Sequence, residues 1–360
     1  MNNGNKPITV LLTGAGAPGM PGILTCLKRA PRELRLVGVD MDPNAPSRKD
    51  FDSFYMVPAA KEKSFIPTIL DIAKKEKVDI IVPCVTRELA KFAESKPAFE
   101  ALGIVVAVME PDAIEVANNK GKLLTATKQA GLPTAEFYLA NTIAEVETAF
   151  EKLGYPGRGI CVKAVEGNGS RAVRLIDPTV SMNNLFFNEK PNGMYISKCD
   201  LIELLGETPD FPKELMLMQM LPGDEFSVDL VAKDGKTLTA LCRKGMQVVS
   251  SNQTMSVVVD EPGVIAQCEQ VVSLLKLSGN IGFDLKCDEN GVPFILEINP
   301  RFTGGIVTCL AAGANMPWIG ICSWLGLPFE KPELRIGVKM QRYWNERFYD
   351  ACGNLMNPGE

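Results

Sequence analysis

Apolar and polar positions divide the chain into two regimes. Over the first 117 residues, short β-branched runs at 8–12, 36–39, 79–83 and 104–108 alternate with stretches of helical spacing at 22–29 and 65–76. Strand and helix in alternation predict a parallel sheet with crossover helices. A new region opens at Asn118-Asn119-Lys120 and runs as a helix to about Ala130, where Gly131 caps it and Pro133 prevents its continuation. Strands then dominate. Residues 160–163 and 172–176 flank a loop at 164–171, and 178–214, rich in Asn, Pro and Gly, reads as loop and short helix. Runs at 215–220, 225–232, 237–243 and 255–259 look antiparallel, with a hairpin turn at 233–236. After an amphipathic helix at 264–277, the strands 282–287 and 292–298 are joined by the turn Asp288-Glu289-Asn290-Gly291. Residues 304–327 are apolar but broken by Asn315 and Pro317, which favours a packed helix and loop over a membrane span. The expected class is α/β, becoming α+β in the C-terminal part.

Composition narrows the chemistry. At ~150 residues per domain, 360 residues suggest two or three units. The 38 Lys and Arg are interspersed with 43 Asp and Glu, so no basic block for nucleic acid is visible. A mean hydropathy of +0.05 and a start with only a short apolar run give no reason to expect a membrane protein or a signal peptide. Ten cysteines form no CxxC pair and mostly sit in apolar runs, the pattern of reduced, buried thiols in a cytoplasmic protein. The chain has no histidine. Ser-His-Asp and Cys-His nucleophiles, His-ligated zinc or haem and imidazole acid–base chemistry are therefore excluded.

Four segments carry candidate chemistry. The loop Gly14-Ala15-Gly16-Ala17-Pro18-Gly19 fits GxGxxG between a strand and a helix, and Asp40 ends the next strand as a ribose-binding acid would. It reads either as a dinucleotide fingerprint or as a tight strand-to-helix turn. Lys163 stands at a strand end before Glu166-Gly167-Asn168-Gly169-Ser170-Arg171, which suits a phosphate-covering flap but also a plain hairpin with a solvated lysine. Asp284 on one strand and Glu297-Ile298-Asn299-Pro300-Arg301 on its neighbour would place two carboxylates and a carboxamide side by side, a hard oxygen site for Mg2+ bridging phosphates. Arg301 lies within reach of the same phosphates. The apolar strand 216–222 could present backbone to an adenine edge, with Glu225 accepting from ribose hydroxyls, or be ordinary core.

In this order the features resemble the ATP-grasp superfamily, and within it single-copy proteins similar to the carbamoyl-phosphate synthase large subunit. The resemblance runs from residue 8 to about 305 and rests on Lys120, Lys163, the glycine-rich flap and Glu297-x-Asn299-Pro300-Arg301. It implies a Rossmann-like domain at 1–117, an ATP-grasp domain at 118–327 with a lid at about 130–220, and a C-terminal segment at 328–360 packed on it. Lys120 and Lys163 would be the nucleotide-binding lysines, with Glu166, Gly167, Gly169 and Ser170 in the flap. Gln219, Met220 and Leu221 would form the adenine hinge, although many members carry Glu where Gln219 stands. Glu225 would hold the ribose and Asp284, Glu297 and Asn299 the Mg2+, with Mn2+ as an alternative. Lys163, Asn299 and Arg301 would take part in catalysis. Since carbamoyl-phosphate synthase large subunits hold two such modules and this chain one, bicarbonate and ammonia chemistry is not implied.

The implied reaction joins a small carboxylate to an amine, through an acyl phosphate, with release of ADP and phosphate. The Gly14–Gly19 loop then borders the acceptor site, with Asp40 facing the central cleft. Gly14, Gly16, Arg243, Lys244, Arg301, Thr303 and Gly304 are candidates for holding an anionic substrate, although a solvated strand end explains Arg243-Lys244 equally well. Two other readings stand beside this one: an NAD-dependent oxidoreductase using the Gly14–Gly19 loop, and a non-catalytic ATP-binding module. Tyr343, Trp344 and Phe348 could serve a homodimer or pack on their own domain.

Overall fold

The computed structural model describes residues 6–167, 172–188, 193–207, 211, 214–249, 252–343, 345–351 and 355–357. The N-terminal strands are β1 (Ile8–Thr13), β2 (Leu34–Asp40), β3 (Ser53–Met56), β4 (Ile80–Val82) and β5 (Val105–Val106). They form one parallel sheet in the order β3-β2-β1-β4-β5, connected through α1 (Met20–Leu27), α2 (Phe65–Glu76) and α3 (Thr86–Glu100). All six residues of β1 are buried, as its unbroken apolar run requires of a central parallel strand. The order reverses between β1 and β4, which opens a crevice at their carboxyl ends. β3 and α3 were not legible beforehand. β3 is a short, partly exposed edge strand, and α3 carries Pro97 inside a mostly polar sequence whose buried stripe is only Leu89, Phe92, Ala93 and Phe99.

Two helices, α4 (Pro111–Asn118) and α5 (Lys120–Gln129), lead into a four-stranded sheet. Its strands are β6 (Phe137–Ala140), β7 (Ile160–Ala164), β8 (Val173–Ile176) and β9 (Leu215–Gln219), antiparallel in the order β6-β9-β7-β8. Helix α6 (Ile143–Lys152) starts at a capping box between Thr142 and Glu145 and buries Val146, Ala149 and Phe150. The stretch read as loop and short helix holds α7 (Met182–Asn188) and α8 (Lys198–Gly206).

The largest sheet has six strands: β10 (Glu225–Lys233), β11 (Lys236–Val249), β12 (Asn252–Val259), β13 (Gly279–Cys287), β14 (Pro293–Asn299) and β15 (Lys339–Gln341). Their order is β14-β13-β10-β11-β12-β15, every pair antiparallel. Helix α9 (Pro262–Leu274) follows β12, and α10 (Val307–Ala311) and α11 (Met316–Leu325) occupy the apolar stretch after β14. No helix among the described residues is long and apolar enough to cross a membrane. Two apolar clusters cross from the parallel sheet into the six-stranded one. The first joins Leu11, Phe65 and Phe92 to Val228, Phe283 and Val271; the second joins Val10, Met20 and Ile80 to Val231, Ile306 and Trp318.

The chain beyond residue 327 returns to both large sheets. β15 extends the edge at β12, and Arg347 pairs with Asp50 at 2.9 Å and donates to the Pro46 carbonyl at 3.0 Å. A short ladder of β16 (Phe348–Tyr349) and β17 (Leu355–Met356) lies beyond. Tyr343 and Phe348 are exposed rather than packed, and Trp344 is outside the described residues. The nine described cysteines are all free; Cys199 is exposed, while six are buried.

Helix α11 sits on β13 through a close approach. Asn280 donates to the Met316 carbonyl at 2.9 Å, and a Cβ on Gly320 would lie 1.8 Å from Asn280 Oδ1. Gly320→Ala is therefore expected to lift α11 and cost about 1–3 kcal/mol, as overpacking does. Thermal unfolding measures this, and a variant melting with the wild type would show that the helix is not seated through this contact.

Candidate active site

The site begins with strand register. Asp284 on β13 faces Glu297 on β14, and two residues further along Asn299 stands opposite Gly282. Asp284 Oδ1 accepts from the Ser227 hydroxyl at 2.8 Å, and the Asn299 amide nitrogen bridges the two acids, at 3.2 Å to Asp284 and 3.4 Å to Glu297. Burial, then the charge of Glu297, pushes the Asp284 carboxyl up to about 7. Burial would raise Glu297 too, but the Lys120 and Lys163 ammonium groups hold it below its ordinary value.

Cations arrive from three directions. Lys120, the first residue of α5, is fixed by Asn119, whose side chain caps the helix by accepting from the Lys122 N–H at 2.9 Å. Its ammonium lies 3.1 Å from Glu297 and donates to the Gly167 carbonyl at 3.1 Å. Lys163 projects from β7, buried, with no carboxylate within 4 Å among the described residues. Arg301 follows β14. It donates to Asn299 Oδ1 at 2.9 Å, to the Phe302 carbonyl at 2.8 Å and to the Thr86 hydroxyl of α3 at 2.9 Å, a tie across to the parallel sheet.

These groups share one cavity of about 600 Å3 between the four- and six-stranded sheets. Lys120, Lys163, Gly167, Asp284, Glu297, Asn299 and Arg301 line it, as do Gln219, Met220, Leu221 and Glu225 along its far wall. The Gln219 and Met220 N–H groups are spent on the Glu136 and Gly159 carbonyls, at 3.1 and 3.0 Å, so neither is open to a ligand. Burial raises Glu225, opposed by Lys286 beside it on β13 and by the Gln253 amide. Among the expected substrate residues, Arg243, Thr303 and Gly304 also line the cavity.

Four of the expected residues do not line the cavity. Lys244 points away from the cavity and pairs with Asp224 at 2.6 Å, because alternate residues of β11 face opposite sides. Glu166 does not line the cavity and accepts from Asn119 at 3.2 Å. Gly14 and Gly16 do not line it either. Gly14, at a φ of 66°, packs where a Cβ would meet Val85 at 2.5 Å, and the Gly16 N–H donates to Asp40 at 2.7 Å. The loop is thus the tight turn, with Asp40 closing it rather than facing a ribose or the cleft. Gly169 and Ser170 lie outside the described residues.

Ser227, Gln253 and Arg342 line the cavity and were missed, as was Asp229, buried against Arg243. Ser227 and Asp229 share a face of β10 with Glu225, a polar alternation in Glu225-Phe226-Ser227-Val228-Asp229 that could have been seen. Asp229 pairs with the buried Arg243 at 2.7 Å and accepts from Thr303 at 2.5 Å. Gln253 links Ser227 to Arg243, at 3.2 Å each. Arg342, just beyond β15, had no local signal at all.

A family described as "ATP-grasp in the biosynthetic pathway with Ter operon" matches residues 211–345, and one described as "PylC-like, N-terminal domain" matches residues 10–107. The N5-carboxyaminoimidazole ribonucleotide synthetase in its ADP complex superposes with a TM-score of 0.69 at 16% identity, covering 93% of this chain and 80% of that one. The fold is the ATP-grasp fold, and residues 211–345 match an ATP-grasp family. Biotin carboxylase from Campylobacter jejuni is similar to this chain with a TM-score of 0.67 at 16% identity, over 91% of this chain and 74% of that one. In sequence, the formate-dependent phosphoribosylglycinamide formyltransferase of Wolinella succinogenes is 24% identical over 92% of this chain and 80% of its own length. The carbamoyl phosphate synthase large chain of Pseudothermotoga lettingae is 24% identical over 81% of this chain, but only 24% of that protein is covered.

Beside the site, at the carboxyl edge of the parallel sheet, stands Glu88 in the first turn of α3. Its Oε2 is buried with no partner among the described residues. Burial pushes its carboxyl from 4.5 up to about 7; the Thr13 hydroxyl pulls it down and the charge of Asp40 adds to the rise. The folded protein therefore holds a proton that the unfolded chain releases near pH 4.5, and this contribution is complete below that pH and lost as pH rises through about 7. Glu88→Gln should remove the fall, gaining on the order of 2–3 kcal/mol over wild type at pH 8 and little at pH 4.5. Urea denaturation at the two pH values measures it; equal gains at both would contradict the burial of an ionisable Glu88.

Proposed function

We propose that this protein is an ATP-dependent carboxylate–amine ligase, forming an amide through an acyl phosphate with release of ADP and phosphate. The observation that carries this reading is the convergence of Lys120, Lys163, Asp284, Glu297, Asn299 and Arg301 on one cavity. The relatives are named as a formyltransferase, a synthetase, a carboxylase and a carbamoyl phosphate synthase, which agrees with activation of a small carboxylate.

The donor set fits a hard divalent cation. Buried, and faced by Glu297, Asp284 holds its proton up to about pH 7, a conflict a cation would remove. Asn299 now turns its amide nitrogen to the acids and its oxygen to Arg301, so it would ligate with the carboxamide turned over. Among the described residues no cluster of three or more Asp, Glu, His or Cys exists, and the carboxamide completes the set. Mg2+, or Mn2+ in its place, would neutralise charge on the ATP phosphates when bound.

The chain's own groups do the rest. Lys120 and Lys163 supply point charges to phosphate oxygens, and Lys120 also holds the start of the flap through Gly167. Gln219, Met220, Leu221 and Glu225 all line the cavity, and in this reading the first three would face the adenine and Glu225 would hold the ribose. Arg301, braced by Thr86 and Asn299, is poised over the group in transfer. The substrate carboxylate attacks the terminal phosphorus and ADP leaves. The amine nitrogen then attacks the acyl carbon, phosphate departs and the nitrogen gives up a proton. Phosphoryl transfer of this kind depends on position and charge, so it needs no histidine.

Nucleotide turnover with Mg-ATP across crossed pools of small acids and amines tests the reading. ADP and phosphate, dependent on one acid and one amine, are expected; AMP would mean adenylate chemistry, and ATP binding without turnover a sensor. Glu297→Gln should reduce ADP release about a hundredfold or more while the circular dichroism stays that of the wild type. Undiminished turnover in that variant would remove the metal assignment.

A further inference from the structure

Farther along the sheet face that carries Asp284, two strands over on β11, the cavity has a second group of cations. Arg243 projects from β11, 3% exposed, with Nε and Nη2 donating to Asp229 and Nη1 to Gln253. Beside it, Arg342 donates from Nε to the Gln253 carbonyl at 3.1 Å and from Nη2 to the Gly304 carbonyl at 2.6 Å. Carbonyls hold the Arg342 guanidinium in place, but no carboxylate lies within 4 Å of it among the described residues. Its Nη1 is unspent. Burial and the neighbouring charge of Arg243 lower the Arg342 pKa, as expected for two like charges held side by side.

The backbone keeps this wall clear. A Cβ on Gly305 would lie 2.5 Å from Arg243 Nη1, and one on Gly304 would lie 3.7 Å from Arg342 Nη2. At 305 a larger residue would collide with the Arg243 guanidinium, whereas at 304 a Cβ would make only ordinary contact with Arg342. The cavity is lined by six cations, Lys120, Lys163, Lys286, Arg243, Arg301 and Arg342, against the three carboxylates Glu225, Asp284 and Glu297. Lys120 and Arg301 are engaged with the metal set and Arg243 is balanced by Asp229, while Lys163, Lys286 and Arg342 have no carboxylate within 4 Å among the described residues; of these three, Arg342 is the one beside Arg243.

Resting on the ligase reading above, we propose that Arg342, with Arg243 behind it, binds a second anionic group on the carboxylate substrate. The substrate class is then a dianionic acid, either a dicarboxylate or a phosphorylated carboxylate, whose reacting end lies toward Arg301. The segment beyond residue 327 is in this way part of the substrate site. It is anchored by β15 on β12 at one side of Arg342 and by Arg347 on Asp50 at the other.

Binding separates this proposal from the ligase reading. The protein saturated with Mg2+ and a non-hydrolysable ATP analogue is titrated calorimetrically with acetate, succinate and 3-phosphoglycerate at constant ionic strength. Succinate or 3-phosphoglycerate should bind about tenfold or more tightly than acetate, and the stronger of the two identifies the second anion as carboxylate or phosphate. Arg342→Gln should abolish that preference, and Arg342→Lys should restore part of it. Equal binding of acetate and both dianions, no binding of either dianion, or a preference that survives in Arg342→Gln would each overturn the proposal. A failure to find acid-dependent ADP release would count against the ligase and leave this result standing.

Discussion

Two carboxylates set face to face on neighbouring strands govern the rest of this molecule. The β13–β14 register brings Asp284 and Glu297 together in a buried wall, and burial of paired acids is unfavourable unless charge or hydrogen bonds compensate. Each compensating group comes from a different part of the chain. Ser227 is supplied by β10, Lys120 by the start of α5 and Lys163 by the four-stranded sheet. Arg301 reaches past the pair to Thr86 of the parallel sheet. A site that needs cations from separate sheets ties their relative positions to one another, and the two apolar clusters running between the parallel and six-stranded sheets hold that arrangement.

The sequence disclosed the parts of this system that local chemistry dictates. Periodicity separated the parallel sheet from the antiparallel strands, and Glu297-x-Asn299-Pro300-Arg301 at the end of an apolar strand announced a polar site because packing offers no reason for it. Lys163 and Asp284 were readable for the same reason. What stayed hidden depends on tertiary contact. The Gly14–Gly19 loop looks the same whether its N–H groups meet a phosphate or, as here at Gly16, the Asp40 carboxylate. Whether Arg243 or Lys244 faces the cavity is a question of which face of β11 is inward, and a two-residue polar strand end does not reveal it. Arg342 is a single arginine in a polar tail, brought to the cavity only by the pairing of β15 with β12.

The absence of histidine bears on how the proposed reaction can be completed. Joining an acyl phosphate to an amine requires no group that exchanges a proton near neutrality during the first step, since carboxylate and phosphate both react as anions. In the second step the amine must lose a proton, and the departing phosphate is itself a suitable acceptor. A chain that confines its functional side chains to carboxylates, ammonium and guanidinium groups and amides can therefore run this chemistry by charge placement alone. Its selectivity then has to come from charge as well. At the Asp284–Glu297 end, carboxylates and lysines balance each other, so in the proposed reaction an incoming anion would be held there only together with a cation. At the Arg342 end no acid balances the guanidinium, and a single fixed positive charge there selects among substrates by where their second negative charge lies.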